Sequence, residues 1–102
     1  MAIPPFPEVT HLQYLALHVL RPQPLTSAHA LYTIMREMGA GHRSRQSFYQ
    51  FMGRLEEAGF VSAKRRRTSS GHLETSYRLL KKGQKTMTRS KTFYGVPNDA
   101  NA

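Results

Sequence analysis

The hydrophobic period of this chain changes at Gly59, and that change sets the class of fold. Before it, apolar residues recur at the three-and-four spacing of amphipathic helices. After it, residues 60–67 read as a strand that turns polar toward its tip. Thr68-Ser69-Ser70-Gly71 is a turn cluster. Leu73, Thr75, Tyr77 and Leu79 then alternate with His72, Glu74, Ser76 and Arg78, as a half-buried return strand does. A β-hairpin therefore follows a run of helices.

The helices before it have readable limits. Leu12, Leu15, Ala16, Val19 and Leu20 share one side of a first helix, with Glu8 at its positive end and Pro22 stopping it. Thr26 or Ser27 is placed to cap a second, by accepting a bond from a free backbone N–H. Its apolar face takes Ala28, Leu31, Ile34 or Met35, and Met38. Gly39-Ala40-Gly41 supplies a tight turn. Ser44 caps a third helix, in which Phe48, Phe51, Met52 and Leu55 recur at core spacing up to Gly59. A short basic helix is expected over 81–91, weakened by Gly83. The expected organisation is a proline-rich arm (1–7, with Pro4, Pro5 and Pro7), a domain (8–91) and a tail (92–102). The fold class is α+β and mainly helical. Two helices joined by a glycine-containing turn form a helix-turn-helix, and a hairpin directly after the third helix is its wing.

Charge narrows the function. The chain has 102 residues, enough for one domain, and carries a net charge of +9. Residues 1–42 sum to zero, with Arg21 and Arg36 against Glu8 and Glu37. The whole excess therefore lies in 43–102, a one-sided field that attracts a polyanion. A solvated basic surface kept for solubility is the rival reading. The absence of cysteine excludes a disulfide framework and a cysteine-based zinc site, and fits a cytoplasmic protein. No apolar run is long enough for a membrane span, and the N-terminus does not read as a signal peptide.

The candidate binding residues fall in two groups. On the third helix, Arg45, Gln46, Tyr49, Gln50 and Arg54 make a hydrogen-bonding face, with Arg43 and Ser44 before it suited to a phosphate. Arg can bond guanine O6 and N7 together, and Gln can do the same for adenine N6 and N7. In a helix-turn-helix this helix lies in the major groove of duplex DNA. On the hairpin, Lys64, Arg65, Arg66 and Arg67, with Ser69 and Ser70, can grip phosphates or enter a minor groove. Edge protection is the rival reading there, since charged edge strands resist aggregation. Glu74 is placed to pair with Arg65 or Arg66 across the hairpin. Lys81, Lys82, Lys85, Arg89 and Lys91 form a further basic group.

Two segments carry a family resemblance. Arg54-Leu55-Glu56-Glu57-Ala58-Gly59-Phe60-Val61 and Tyr77-Arg78-Leu79-Leu80-Lys81-Lys82-Gly83 resemble the PadR-type winged-helix regulators, and MarR-type regulators share much of the pattern. The similarity covers about residues 12–87. It implies a transcriptional regulator with a recognition helix containing Tyr49, followed by a wing. Leu80 stands where the family has a capping Thr or Ser. The family's long C-terminal dimerisation helix has no counterpart after Met87, where Gly95 and Pro97 intervene.

The expectation is thus a sequence-specific, double-stranded DNA-binding transcriptional regulator, with repression as the first sign of regulation to test. It is expected to act as a homodimer using the first helix, the proline arm, or Phe93, Tyr94 and Val96. The alternative is a winged-helix module for a protein or RNA. His11, His18, His29, His42 and His72 have no spacing that suggests a metal site. No phosphate loop or nucleophile elbow is present, so neither an enzyme nor a cofactor is expected.

Overall fold

The computed structural model describes residues 7–95. Its elements are α1 (His11–Val19), β1 (Thr26–Ser27), α2 (Ala28–Glu37), α3 (Arg45–Glu57), β2 (Val61–Arg67), β3 (Leu73–Leu79) and α4 (Lys81–Tyr94). The three strands form one antiparallel sheet in the order β1-β3-β2. Most of the proline arm, Phe6, Val96 and the rest of the tail lie outside the described residues.

The core is built by α1, α2, α3 and the inner face of the hairpin. Leu17, Leu31, Met35, Phe48, Met52, Leu55, Val61 and Tyr77 are all essentially inaccessible. Ser27 caps α2 by accepting the Ala30 N–H at 3.1 Å, and Ser44 caps α3 by accepting the Ser47 N–H at 3.1 Å. Each satisfies a backbone donor that the first turn leaves free. Gly39 and Gly59 take φ of 77° and 82°, the left-handed region in which glycine ends a helix without strain.

Several expectations need correction. The buried face of α1 is rotated from the one predicted. Tyr14 and Leu17 are fully buried with Ala16 and Leu20, while Leu12, Leu15 and Val19 are only half-buried along one flank. The cause is α4, which packs on α1 and takes the Tyr14 hydroxyl as a 2.6 Å donor to the Gly95 carbonyl. Thr10 rather than Glu8 starts the helix, in a reciprocal capping box with Gln13, and Glu8 pairs with Arg89 of α4 instead.

Ser27 does more than cap. With Thr26 it forms β1, pairing with Ser76 and Tyr77 of β3. Leu73 is 61 % exposed, because β3 reaches the core only from Tyr77 onward and its start stands out with the wing.

α4 is longer than the short helix expected and runs to Tyr94. It has no side-chain cap at Leu80 and is held by tertiary contacts. Tyr94 donates to the Val9 carbonyl at 2.7 Å, and its ring stacks on His11 at 4.9 Å. It is therefore committed within its own chain. Gly83 is buried against the Phe60 carbonyl, so the residue that weakens α4 as an isolated helix is the one that lets it dock.

Candidate nucleic-acid interface

The two predicted groups of residues are joined where Arg65 of the wing bonds Glu56 of α3, and only part of each faces the other. The core side of α3 is fixed by Phe48, Met52 and Leu55. At 100° per residue this aims Gln46, Gln50, Gly53 and Glu57 away from the core. All but Gly53, which is half-buried, are exposed. Arg43, Gln46, Gln50 and Arg54 are exposed and make no side-chain hydrogen bond among the described residues. A Cβ added at Gly53 would meet nothing within 4 Å, so this stretch of the outward face is bare backbone.

Arg45 and Tyr49 turn toward the wing. The Arg45 guanidinium lies 5.8 Å from the centre of the Tyr32 ring, and Tyr32 packs edge-on against Phe48. Tyr49 is 44 % exposed and rests edge-on against Phe48. Together with Ser27, His29, Leu73, Thr75 and Ser76, these two residues line a cleft of about 410 Å³ between α3 and β3. Below it the Tyr77 phenol is pushed up to about 12 by burial, so it stays neutral throughout the physiological range.

The wing cations do not act as one group. The register of β2 against β3 puts Arg65 opposite Thr75 and Arg67 opposite Leu73, on the sheet face that also carries Tyr77. Lys64 and Arg66 share the other face with Ser76 and Arg78. Arg65 forms a two-pronged bond to Glu56 of α3, at 3.0 and 3.4 Å, which raises its already high pKa. Arg66 pairs with Glu74 at 3.3 Å, one of the two pairings expected. Arg67 donates to the Gly71 carbonyl at 3.1 Å and tightens the tip, where Thr68 bonds His72 and Ser70. Lys64 and Ser69 are exposed and make no side-chain hydrogen bond among the described residues, and Lys64 borders a groove with Leu25, Ser62 and Arg78.

Two residues of this region were not singled out from sequence. Glu56 of α3 braces the wing to that helix. His42 sits in the turn before α3, 4.6 Å from the Phe51 ring and 5.5 Å from that of Phe48. Neither of its buried ring nitrogens has a hydrogen-bond partner among the described residues, and burial lowers its pKa. Among the described residues no three His, Asp or Glu side chains gather as metal ligands, and no helix is long and apolar enough to cross a membrane.

A bare polar helix face, a glycine-containing turn before it and a basic hairpin braced beside it define a winged helix-turn-helix. Solved structures share this architecture. A PadR-like transcriptional regulator from Bacillus cereus matches with a TM-score of 0.66 at 20 % identity, over 82 % of this chain and 81 % of that one. A PadR-like transcription factor from Bacteroides fragilis matches with a TM-score of 0.68 at 17 % identity, over 79 % and 77 %. Bacillus subtilis PadR in complex with operator DNA matches with a TM-score of 0.67 at 16 % identity, over 91 % of this chain but 54 % of that one. No family model matches the chain, and no curated protein matches it. The chain has the fold of the PadR-like regulators.

Proposed function

We propose that this chain is a PadR-like transcriptional regulator that binds double-stranded DNA by sequence. In this reading α3 enters the major groove, with Arg45, Gln46, Tyr49 and Gln50 at base edges and Arg43, Ser44 and Arg54 at phosphates. Lys64, Arg66, Arg67, Ser69 and Ser70 of the wing hold the backbone or the minor groove, and Arg65 orients them. One observation carries the reading: uncommitted Gln46 and Gln50 lie on the same helix to which the wing is braced. The operator DNA bound to Bacillus subtilis PadR supports it by likeness of fold. Repression in the cytoplasm, without catalysis, is the form of regulation we propose.

The test is selection from a random duplex pool with the purified chain, followed by Arg45→Ala and Gln50→Ala. Each substitution is expected to weaken binding to the selected site by about 1–3 kcal/mol and to relax preference at one or two positions. Random duplexes should be bound as before. Equal losses on both would remove base reading from these residues, and preference for folded RNA would overturn the assignment to DNA.

We further propose a homodimer, because regulators of this shape read paired half-sites. The half-buried stripe of Leu12, Leu15 and Val19 on α1 is the surface best suited to it, in place of Tyr94. Sedimentation should give a dimer for the wild type and a folded monomer for Leu15→Glu. A wild-type monomer at high micromolar concentration, with one copy per operator, rejects the dimer.

A further inference from the structure

The helix given no role in this interface carries five further cations. α4 holds Lys81, Lys82, Lys85, Arg89 and Lys91 and no acidic residue. Two of these are committed. Arg89 is chelated by Glu8 at 2.9 Å, and Lys82 donates to the Ala58 carbonyl at 2.6 Å while lying 5.1 Å from the Phe60 ring centre. Lys81, Lys85 and Lys91 are exposed and form no ion pair among the described residues.

Helical geometry gathers these three. At 100° per residue, Lys81, Gln84, Lys85, Thr88, Lys91 and Thr92 occupy one arc of about 120°. That arc lies opposite the buried Gly83, Thr86 and Ser90. All six are exposed, and each is a cation or a neutral hydrogen-bonding group. No apolar side chain interrupts the arc. That composition does not suit a helix lying in a membrane surface, which needs an apolar face to insert. It equally lacks the apolar centre of a stable protein interface. Lysines with amide and hydroxyl neighbours suit a phosphate backbone, gripped without regard to sequence.

The arc also stands apart from the base-reading residues. Lys82 touches the C-terminal end of α3, whereas Arg45 and Gln46 begin it. A 13-residue helix separates the two ends by about 20 Å. α4 thus starts at the end of α3 remote from Arg45 and Gln46.

We propose that the outer face of α4 binds the backbone of a second duplex DNA segment, so that one chain holds two duplexes. The first duplex rests on the function proposed above; the α4 surface does not. The test uses an immobilised duplex with the selected site, the full chain, and a labelled random duplex in solution at low salt. The wild type should capture the labelled duplex. Lys81→Gln, Lys85→Gln and Lys91→Gln together should cut capture by about tenfold or more and make its salt dependence shallower. Affinity for the immobilised site and the circular dichroism spectrum should stay as in wild type.

Undiminished capture by the triple variant overturns the proposal, as does no capture by the wild type. A parallel loss of affinity for the immobilised site would move these lysines to the flank of the first duplex and also overturn it. Poly-glutamate displacing the labelled duplex as well as an equal charge of DNA would point instead to an acidic protein. A second arm separates the two readings. In the Arg45→Ala, Gln50→Ala background, selected-site preference should fall, while random-duplex binding that depends on the α4 lysines should persist.

Discussion

Replacing Gly83 by alanine should cost this protein more stability than any surface change, although alanine is the better helix former. Gly83 is buried in the first turn of α4, and a Cβ there would overlap the Phe60 carbonyl oxygen and lie 2.8 Å from Leu79 Cδ1. That carbonyl already accepts the Leu80 N–H at 3.0 Å, so it is held in place. Alanine recovers about 1 kcal/mol of helix propensity. Displacing packed backbone costs about 1–3 kcal/mol or more. Because the obstructing atom is fixed backbone, the cost falls at the upper end of that range, and a net loss of about 2 kcal/mol should lower Tm by about 8–16 °C. Gly53→Ala is the matched control. Its added methyl meets nothing, so propensity acts unopposed and Tm should rise. Thermal unfolding of both variants checks this, and a Gly83→Ala protein as stable as wild type would mean that α4 does not dock as described.

Binding should lose most of its salt dependence when Lys64, Arg66 and Arg67 are replaced together by alanine. Arg65 is left intact because its bond to Glu56 orients the wing, and removing it would mix geometry with charge. Each phosphate contact releases condensed counterions and contributes roughly −0.9 to the slope of log K against log salt. Three lost contacts per chain should make the slope shallower by roughly 2.7 for each chain bound, and selected and random duplexes should weaken alike. Folding should change little, since all three side chains are exposed. Titrations over a salt series, for wild type and variant on both duplexes, measure it. An unchanged slope would return these residues to edge protection. A loss confined to the selected site would make them base readers.

Much of the fold was legible because its signals are local. Ser44, the Phe48-Met52-Leu55 stripe and Gly59 each act within one turn, and α3 formed between them. The hairpin followed from alternation around the turn at Thr68–Gly71, with its register left open between Arg65 and Arg66 opposite Glu74. What escaped depends on distant partners. α1 offers two apolar stripes, and hydropathy favoured the aliphatic Leu12-Leu15-Val19 over the one with Tyr14. Only the Gly95 carbonyl, 81 residues away, makes the buried tyrosine the better solution. β1 is too short to show a period. Gly83 looked like a defect because its reason lies at Phe60.

The candidate interface shows the same division. Its residue types and a pair between Glu74 and either Arg65 or Arg66 were readable, and Arg66 is the partner found. The Arg65–Glu56 bond between two elements was not, although a signal existed. Glu56 falls seven residues after Tyr49, on the side of α3 that meets the wing, and Arg65 shares the sheet face of Tyr77.

That bond also sets how freely the hairpin tilts. Its partners are half and one-third exposed, and exposed ion pairs are worth about 0.2–1 kcal/mol. On that energy alone the latch stands open in roughly 15–40 % of molecules at any instant. The wing is thus held near one orientation and released without disturbing the core. Raising the salt concentration weakens the latch further, since screening acts on exposed charges first. The same hairpin can therefore settle against surfaces of different curvature, at an energetic cost no greater than about that of a single buried methylene.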